Sequence, residues 1–174
     1  MRKIPIIILL VICVIFSSCS KKLTDQSEIA GNISKPFNCE VNIKYGDIAA
    51  KATVNKLAVG VFDVTLTQPE SLAGMKFQVK GEDITVSYKG ISTSLSQNSI
   101  PAKALTQVLV GSIDSVTKAE GVRIKKEDGI LVIDGDNKTG KFKLKVDKDN
   151  GNFLSLNVPS ANFDATFENF QFVN

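Results

Sequence analysis

The sequence predicts a mainly β (α+β) fold, in which a curved antiparallel sheet of about ten or eleven strands forms an open half-barrel. One amphipathic helix is expected to pack in its concave face. Three observations predict this fold: apolar and polar residues alternate from Phe37 onward, runs rich in Gly, Asp and Asn separate the alternating segments, and one helical stripe interrupts them. A lone helix must bury its apolar face on the sheet, and a large twisted sheet tends to curl.

The first twenty residues have the features of a targeting signal. A positive start is followed by residues 4–16, which are apolar almost throughout. As a helix they span roughly 20 Å, too short for the roughly 30 Å hydrocarbon core of a bilayer, and this length is typical of a signal peptide. The ending Phe16-Ser17-Ser18-Cys19 resembles the lipobox of bacterial lipoproteins, which implies cleavage before Cys19 and diacylglycerol on its thiol. An ordinary cleaved signal and an uncleaved anchor are the alternatives.

This reading divides the chain into three parts. We expect a lipoprotein signal peptide at 1–18, the acylated Cys19 with a polar tether through 35, and a half-barrel domain at 36–174. The signal peptide predicts a location outside the cytoplasm. Because two or more acyl chains hold a protein firmly, the domain is expected to be stably anchored to the bacterial membrane there.

Composition excludes several classes of function. The chain has 174 residues and no His, which excludes Ser-His-Asp and Cys-His nucleophilic machinery and imidazole metal ligation. Removing Arg2 and Lys3 from the 21 Lys+Arg leaves 19 against 18 Asp+Glu, too small an excess for a nucleic-acid binder. Cys13 leaves with the signal and Cys19 is acylated, so no intramolecular disulfide is possible. Cys39 lies on the apolar face of the first strand and is predicted to be a buried thiol.

The predicted strands rest on alternation of apolar and polar residues, except for residues 130–133, which form a short continuous apolar run. The predicted strands cover residues 37–45, 48–55, 62–67, 75–80, 84–88, 91–95, 122–125, 130–133, 141–146, 154–158 and 163–172. Turns are predicted at 45–47, 81–83, 128–129, 134–137 and 147–152. In the last strand Phe163 and Phe167 are in phase, whereas Phe170 and Phe172 are not. One extra residue near Glu168-Asn169 restores the phase, which predicts a β-bulge.

The helix is predicted between the two blocks of strands. Ser99 is a plausible N-cap, Pro101 is tolerated in the first turn, and Gly121 is a natural stop, which gives a helix of about 18 residues. Its apolar stripe consists of Leu105, Val108, Leu109, Ile113 and Val116.

One stretch resembles a known family. Residues 67–77 (TQPESLAGMKF), followed by 84–90 (ITVSYKG), resemble a strand, a P-x-x-L-x-G connection and a strand ending in Y-x-G. With the acylated Cys19, the tether and the curled sheet around a helix, the chain is similar to the LolA/LolB superfamily over residues 37–172. Lipid-binding mycobacterial lipoproteins and clostridial germination lipoproteins of this fold are similar too. LolA begins with a helix and is not acylated, so the similarity is greater to LolB or to Gram-positive members.

The resemblance implies that the apolar concave face holds acyl chains. The candidate ligand-binding residues are Phe62, Leu66, Met75, Phe77, Leu105, Leu109, Phe142, Leu144, Leu156, Phe163 and Phe167. The alternative is a filled core in which the same residues pack and leave no cavity. The first reading predicts a lipoprotein that binds a lipid or acyl ligand or a protein partner at the envelope. The second predicts an interaction module that docks and stabilises an envelope or spore protein. Neither needs a cofactor, and no catalytic constellation is present.

Two polar features each have two readings. Residues 134–137 and 147–151 resemble calcium loops, but Lys138 stands where a third oxygen ligand belongs and no Glu closes either loop, which favours plain turns and no metal. The row Lys141, Lys143 and Lys145, with Arg123, Lys125 and Lys126 nearby, is suited to anionic lipid or teichoic acid. Lysines also guard strand edges against pairing, and this second reading is favoured.

Overall fold

The computed structural model describes residues 33–94, 101–119 and 121–173. The predicted signal peptide, Cys19, most of the tether and the predicted N-cap Ser99 lie outside the described residues. Within the described ranges the predicted mainly β fold is confirmed, as one curved, unclosed antiparallel sheet with a single long helix. No helix in these ranges has the length and apolar character needed to cross a bilayer.

The sheet has eleven strands. They are β1 (Phe37–Tyr45), β2 (Ile48–Ala58), β3 (Val61–Gln68), β4 (Lys76–Lys80), β5 (Asp83–Tyr88), β6 (Ile91–Ser94), β7 (Val122–Glu127), β8 (Ile130–Asn137), β9 (Gly140–Asp147), β10 (Phe153–Val158) and β11 (Phe163–Phe172). Helix α1 (Pro101–Thr117) separates β6 from β7, and short 3₁₀ turns occupy Glu70–Leu72 and Pro159–Ala161.

The strands form two meanders joined at one long-range pair. Their order is β6-β5-β4-β3-β2-β1-β11-β10-β9-β8-β7, so β1 pairs with β11 and the outermost strands are β6 and β7. The two halves also meet at their turns, where Lys138 Nζ lies 2.8 Å from Glu82 Oε1. This contact between distant strands shows how strongly the sheet curls.

The predicted β-bulge is confirmed on β11. Asn38 pairs with Gln171 and Glu40 pairs with Glu168, so two steps along β1 match three steps along β11. Asn169 takes the left-handed conformation that accommodates the extra residue, with φ of 51°. The bulge brings Phe170 into contact with Phe37, at 4.7 Å between ring centroids.

Helix α1 fills the concave side. The five residues of its predicted stripe are all buried, and they belong to the same core as the inward side chains of the strands. Thr106, Val110 and Ser112 are buried as well, so the helix is covered on more of its surface than one stripe predicts. It ends at Thr117 and not at Gly121, because Ala119 already adopts a left-handed conformation with φ of 54°.

One predicted turn differs from the structure. Residues 134–137 belong to β8 and do not form the predicted turn. The chain reverses at Lys138-Thr139, since Asn137 pairs with Gly140 and its Oδ1 accepts hydrogen bonds from the Thr139 N–H and hydroxyl. Ile33, three residues before the expected domain start, is 1% exposed and belongs to the packed core.

Candidate functional site: the concave face and the junction at Lys56

The eleven residues predicted to bind a ligand come together in one core. They lie on β3, β4, β9, β10, β11 and α1, except for Met75, which lies just before β4. Ten of them are at most 8% exposed, and Met75 is half-buried and packs against the same core. The curled sheet therefore brings together side chains more than 100 positions apart in the sequence, such as Phe62 and Phe167.

The centre of this face is closely packed. Phe62, Leu109, Leu144 and Phe163 have 0% relative exposure. A side chain that borders a void large enough for water keeps accessible surface even when the void is closed to bulk solvent. These four side chains therefore border no such void, and α1 occupies the space over the sheet. Whether the eleven residues bind a ligand stays a prediction.

A cleft outside the concave face is small. It has a volume of about 160 Å³ and lies between Ile33, Lys35 and the β9–β10 turn, with Lys148 and Phe172 on its wall. Sites for drug-sized ligands usually measure about 300–1,000 Å³. An acyl chain is too large for this cleft.

Lys56 is a buried cation that the sequence patterns did not single out. It is 1% exposed, and its Nζ donates hydrogen bonds to the carbonyls of Ile33, Ser34 and Lys35 at 3.1, 2.6 and 3.3 Å. The ammonium also lies 6.0 Å from the centre of the Phe37 ring. Burial lowers the pKa of Lys56, and the charge of Asp114 partly opposes that shift. Three carbonyl acceptors compensate for the loss of water around the ammonium.

The signal for Lys56 was present in the alternation of β2. Ala50, Ala52 and Val54 point into the core, and a lysine two residues later occupies the same face. A charged residue in an inward position needs buried partners, which here come from the residues that precede β1.

Helix α1 is tied to the sheet by polar contacts, among them a hydrogen bond that the Asn137 side-chain amide on β8 donates to Ser115 Oγ at 3.3 Å. Asp114 Oδ1 accepts a hydrogen bond from the Gly60 N–H at 2.9 Å, and Asp114 Oδ2 forms an ion pair with Lys118 at 2.7 Å. Gly60 lies in the β2–β3 turn, so this contact fixes the helix against that turn. Ser112 Oγ, also on α1, is buried without a hydrogen-bond partner among the described residues.

The remaining polar features have structural explanations. Asp147 Oδ1 accepts the N–H groups of Asp149 and Asn150, so this turn uses its own side-chain oxygen. In the described part of the chain, no three Cys, Asp or Glu side chains are placed to hold a metal ion. Cys39 is buried as predicted. Burial, reinforced by the charge of Glu40, raises its pKa to about 12, so the thiol stays protonated.

The edge-guard interpretation of the lysine row on β9 is wrong. Strand β9 pairs with both β8 and β10, so Lys141, Lys143 and Lys145 guard no edge. The outermost strand of that half is β7, which carries Lys125. Asp134 lies on β8, between β7 and β9. Its carboxylate is 3.4 Å from the Lys125 ammonium and 4.0 Å from the Lys143 ammonium, so it partly neutralises the lysines of both flanking strands.

Comparison with solved structures identifies the fold. An uncharacterized conserved protein from Thermus thermophilus superposes with a TM-score of 0.55 and 13% identity, covering 88% of this chain and 89% of that one. A chain from the complex of the CwlD amidase with the GerS lipoprotein of Clostridioides difficile has a TM-score of 0.51 and 20% identity, covering 88% and 97%. The LolA superfamily protein NE2245 from Nitrosomonas europaea has a TM-score of 0.49 and 15% identity, covering 89% and 95%.

These similarities concern the fold alone, because all the identities are low. No protein-family model matches the sequence, and no curated protein is significantly similar to it. The chain has the open half-barrel fold that its sequence predicted, and two solved structures share its overall fold over 88% of the chain.

Proposed function

We propose that this chain is a non-catalytic, membrane-anchored extracytoplasmic lipoprotein whose half-barrel binds a protein partner at the cell envelope. The packed concave face carries this proposal. The side chains that would line an acyl site are already in contact with α1 and with one another, and the central ones have no accessible surface. An acyl ligand would have to displace the helix, whereas a protein partner needs only the outer surface.

The choice of partner class draws on one similar structure. A chain of this fold occurs in a complex of an amidase with a lipoprotein. An amidase from the same organism as this chain is therefore the first partner to test. The proposed complex leaves the core intact and uses the outer face of the sheet.

The anchor is tested by labelling cells with an alkyne-bearing fatty acid. The acylated chain is expected to incorporate the label, and the Cys19→Ser variant is expected to lose it. Cys39→Ser is the matched control, since this buried thiol should leave labelling unchanged. Equal labelling of the wild type and Cys19→Ser would contradict the proposed anchor.

Native mass spectrometry separates a protein partner from a lipid ligand. The acylated protein is expected to show the mass of the chain from Cys19 plus its anchor, with no additional lipid, and to form a stoichiometric complex with the amidase. A second, stoichiometric lipid that is removed by extraction and taken up again would contradict the filled core. That result would favour the alternative, in which the eleven concave residues bind an acyl chain.

A further inference from the structure

Three consecutive apolar residues are exposed where β2 turns into β3. Leu57 is 55% exposed, Val59 is 48% exposed, and Ala58 between them is also exposed. We call Leu57–Val59 the apolar tip. Exposed apolar residues scattered singly are ordinary, whereas these three are contiguous at the end of a hairpin.

The apolar tip lies beside the point where the chain enters the domain. Lys56 on β2 pairs with Phe37, the first residue of β1, and the tip begins at the residue that follows Lys56. The Lys56 ammonium binds the carbonyls of Ile33–Lys35 and fixes the entering chain at this end of β2. Val173, 48% exposed, donates its N–H to Pro36 O at the same junction.

The apolar tip is also held rigidly. The Gly60 N–H donates to Asp114 on α1, and the Gly60 carbonyl accepts the Gly81 N–H at 2.8 Å. Gly60 adopts φ of 70°, so the turn closes tightly after Val59. A rigid tip loses little conformational entropy when it meets a surface.

We propose that the apolar tip contacts the lipid bilayer and orients the anchored domain on the membrane. This inference rests on the proposed lipid anchor at Cys19, which lies 14 residues before Ile33. A fully extended chain of that length spans at most about 50 Å, so the anchor holds the bilayer within reach of the tip. Lys56 is the positioning residue, because it sets where the tether leaves the domain.

The contact is apolar in character. Near the turn, Lys118 forms an ion pair with Asp114, and Lys80 lies opposite Asp83 in the pairing of β4 with β5, so both lysines have an acidic neighbour. Insertion of apolar side chains into the headgroup boundary, to a depth of about 5–10 Å, follows from exposed apolar area and needs no anionic lipid. The contact should therefore form on vesicles of zwitterionic phosphatidylcholine and be insensitive to salt.

The absence of Trp from the chain provides the test. Leu57→Trp places one indole on the apolar tip, and Ile48→Trp places one at the opposite end of β2, about 30 Å away, at a position that is 44% exposed. Leu154→Trp, on β10, reports the outer face near the β9 lysine row. Each acylated full chain is reconstituted into phosphatidylcholine vesicles with and without brominated acyl chains, which quench a nearby indole.

The expected result is specific to the tip. The Leu57→Trp emission should shift to shorter wavelength and fall about twofold or more in brominated vesicles, because its indole lies at the acyl boundary. The Ile48→Trp and Leu154→Trp emissions should be unchanged. Adding Lys56→Met to Leu57→Trp should reduce the quenching, since the tether exit is then no longer fixed beside the tip.

Two contrary results are distinguishable. If the proteins float with the vesicles but Leu57→Trp is not quenched, the anchor stands and the proposed orientation is overturned. Quenching of Ile48→Trp or Leu154→Trp in place of Leu57→Trp would also overturn it and identify the face that meets the bilayer. If no acylated protein floats with the vesicles, the lipid anchor fails, and the orientation fails with it.

Discussion

Replacing Lys56 with Met tests whether a buried ammonium holds the start of the domain in place. Met keeps an unbranched apolar stem of similar length beside Phe37 but removes the three hydrogen bonds to the carbonyls of residues 33–35. It leaves the strand pairing of β1 and β2 in place. The substitution therefore isolates the charged group from the packing of its stem.

The expected loss is worked from the contacts. Hydrogen bonds to a charged group contribute about 1.5–3 kcal/mol each, and most of that sum is offset by several kcal/mol for removing the ammonium from water. After substitution the carbonyl of Ile33, a buried residue, loses its Lys56 donor, which costs about 1–3 kcal/mol. The net expectation is a loss of about 2 kcal/mol in the free energy of unfolding, or about 4–8 °C in Tm for a domain of this size.

Urea unfolding of the wild type and Lys56→Met measures this loss. Lys51→Met is the matched control, since it removes an exposed lysine from the same strand and should change stability by no more than about 0.5 kcal/mol. Amide exchange at residues 33–35 and at Phe37 should also become faster in Lys56→Met alone. A Lys56→Met protein as stable as the wild type, or more stable, would refute the reasoning. It would mean that removing the ammonium from water costs more free energy than its three hydrogen bonds return, as happens for some buried charges.

Three further predictions concern the core. Gly135→Ala would bring its Cβ into steric conflict with the Phe142 ring and should destabilise by about 1–3 kcal/mol, and adding Phe142→Leu should recover part of that loss in urea unfolding. On α1, a Cβ added at Gly111 would meet no neighbouring atom within 4 Å beyond the helix's own backbone, so Gly111→Ala should stabilise by about 0.5–1 kcal/mol in the same assay. A loss of stability would contradict the packing described. Native Cys39 should resist a thiol-specific reagent at pH 8 until the protein unfolds. Because its pKa is about 12 when folded and 9.0 ordinarily, unfolded protein loses this proton first and stability should fall as pH rises above 9.0, a slope reduced in Cys39→Ala.

Local patterns predicted most of the fold. A strand with one buried face needs apolar residues at every second position, so alternation located ten of the strands, and a continuous apolar run located β8. The bulge on β11 followed from the phase change between Phe167 and Phe170, because an extra residue is what returns a strand to its former face. The stripe on α1 was equally local, whereas the end of the helix depended on the conformation of Ala119.

The site depended on contacts that no local pattern contains. Lys141, Lys143 and Lys145 read as an edge guard until the pairing of β9 on both sides was known, because alternation shows which face a residue occupies but not which strands lie beside it. The same holds for the pairing of β1 with β11, which joins the two ends of the domain.

The sequence by itself determined the strands, the helix, the apolar concave residues and the resemblance to a lipoprotein signal, since each depends on neighbours within a few positions. Only the tertiary structure decided that the centre of the concave face is filled, that Lys56 holds the chain entry, and that the apolar tip lies beside it. The physical reason is that packing and buried hydrogen bonds join groups tens of residues apart. Which groups become partners therefore depends on the fold of the whole chain.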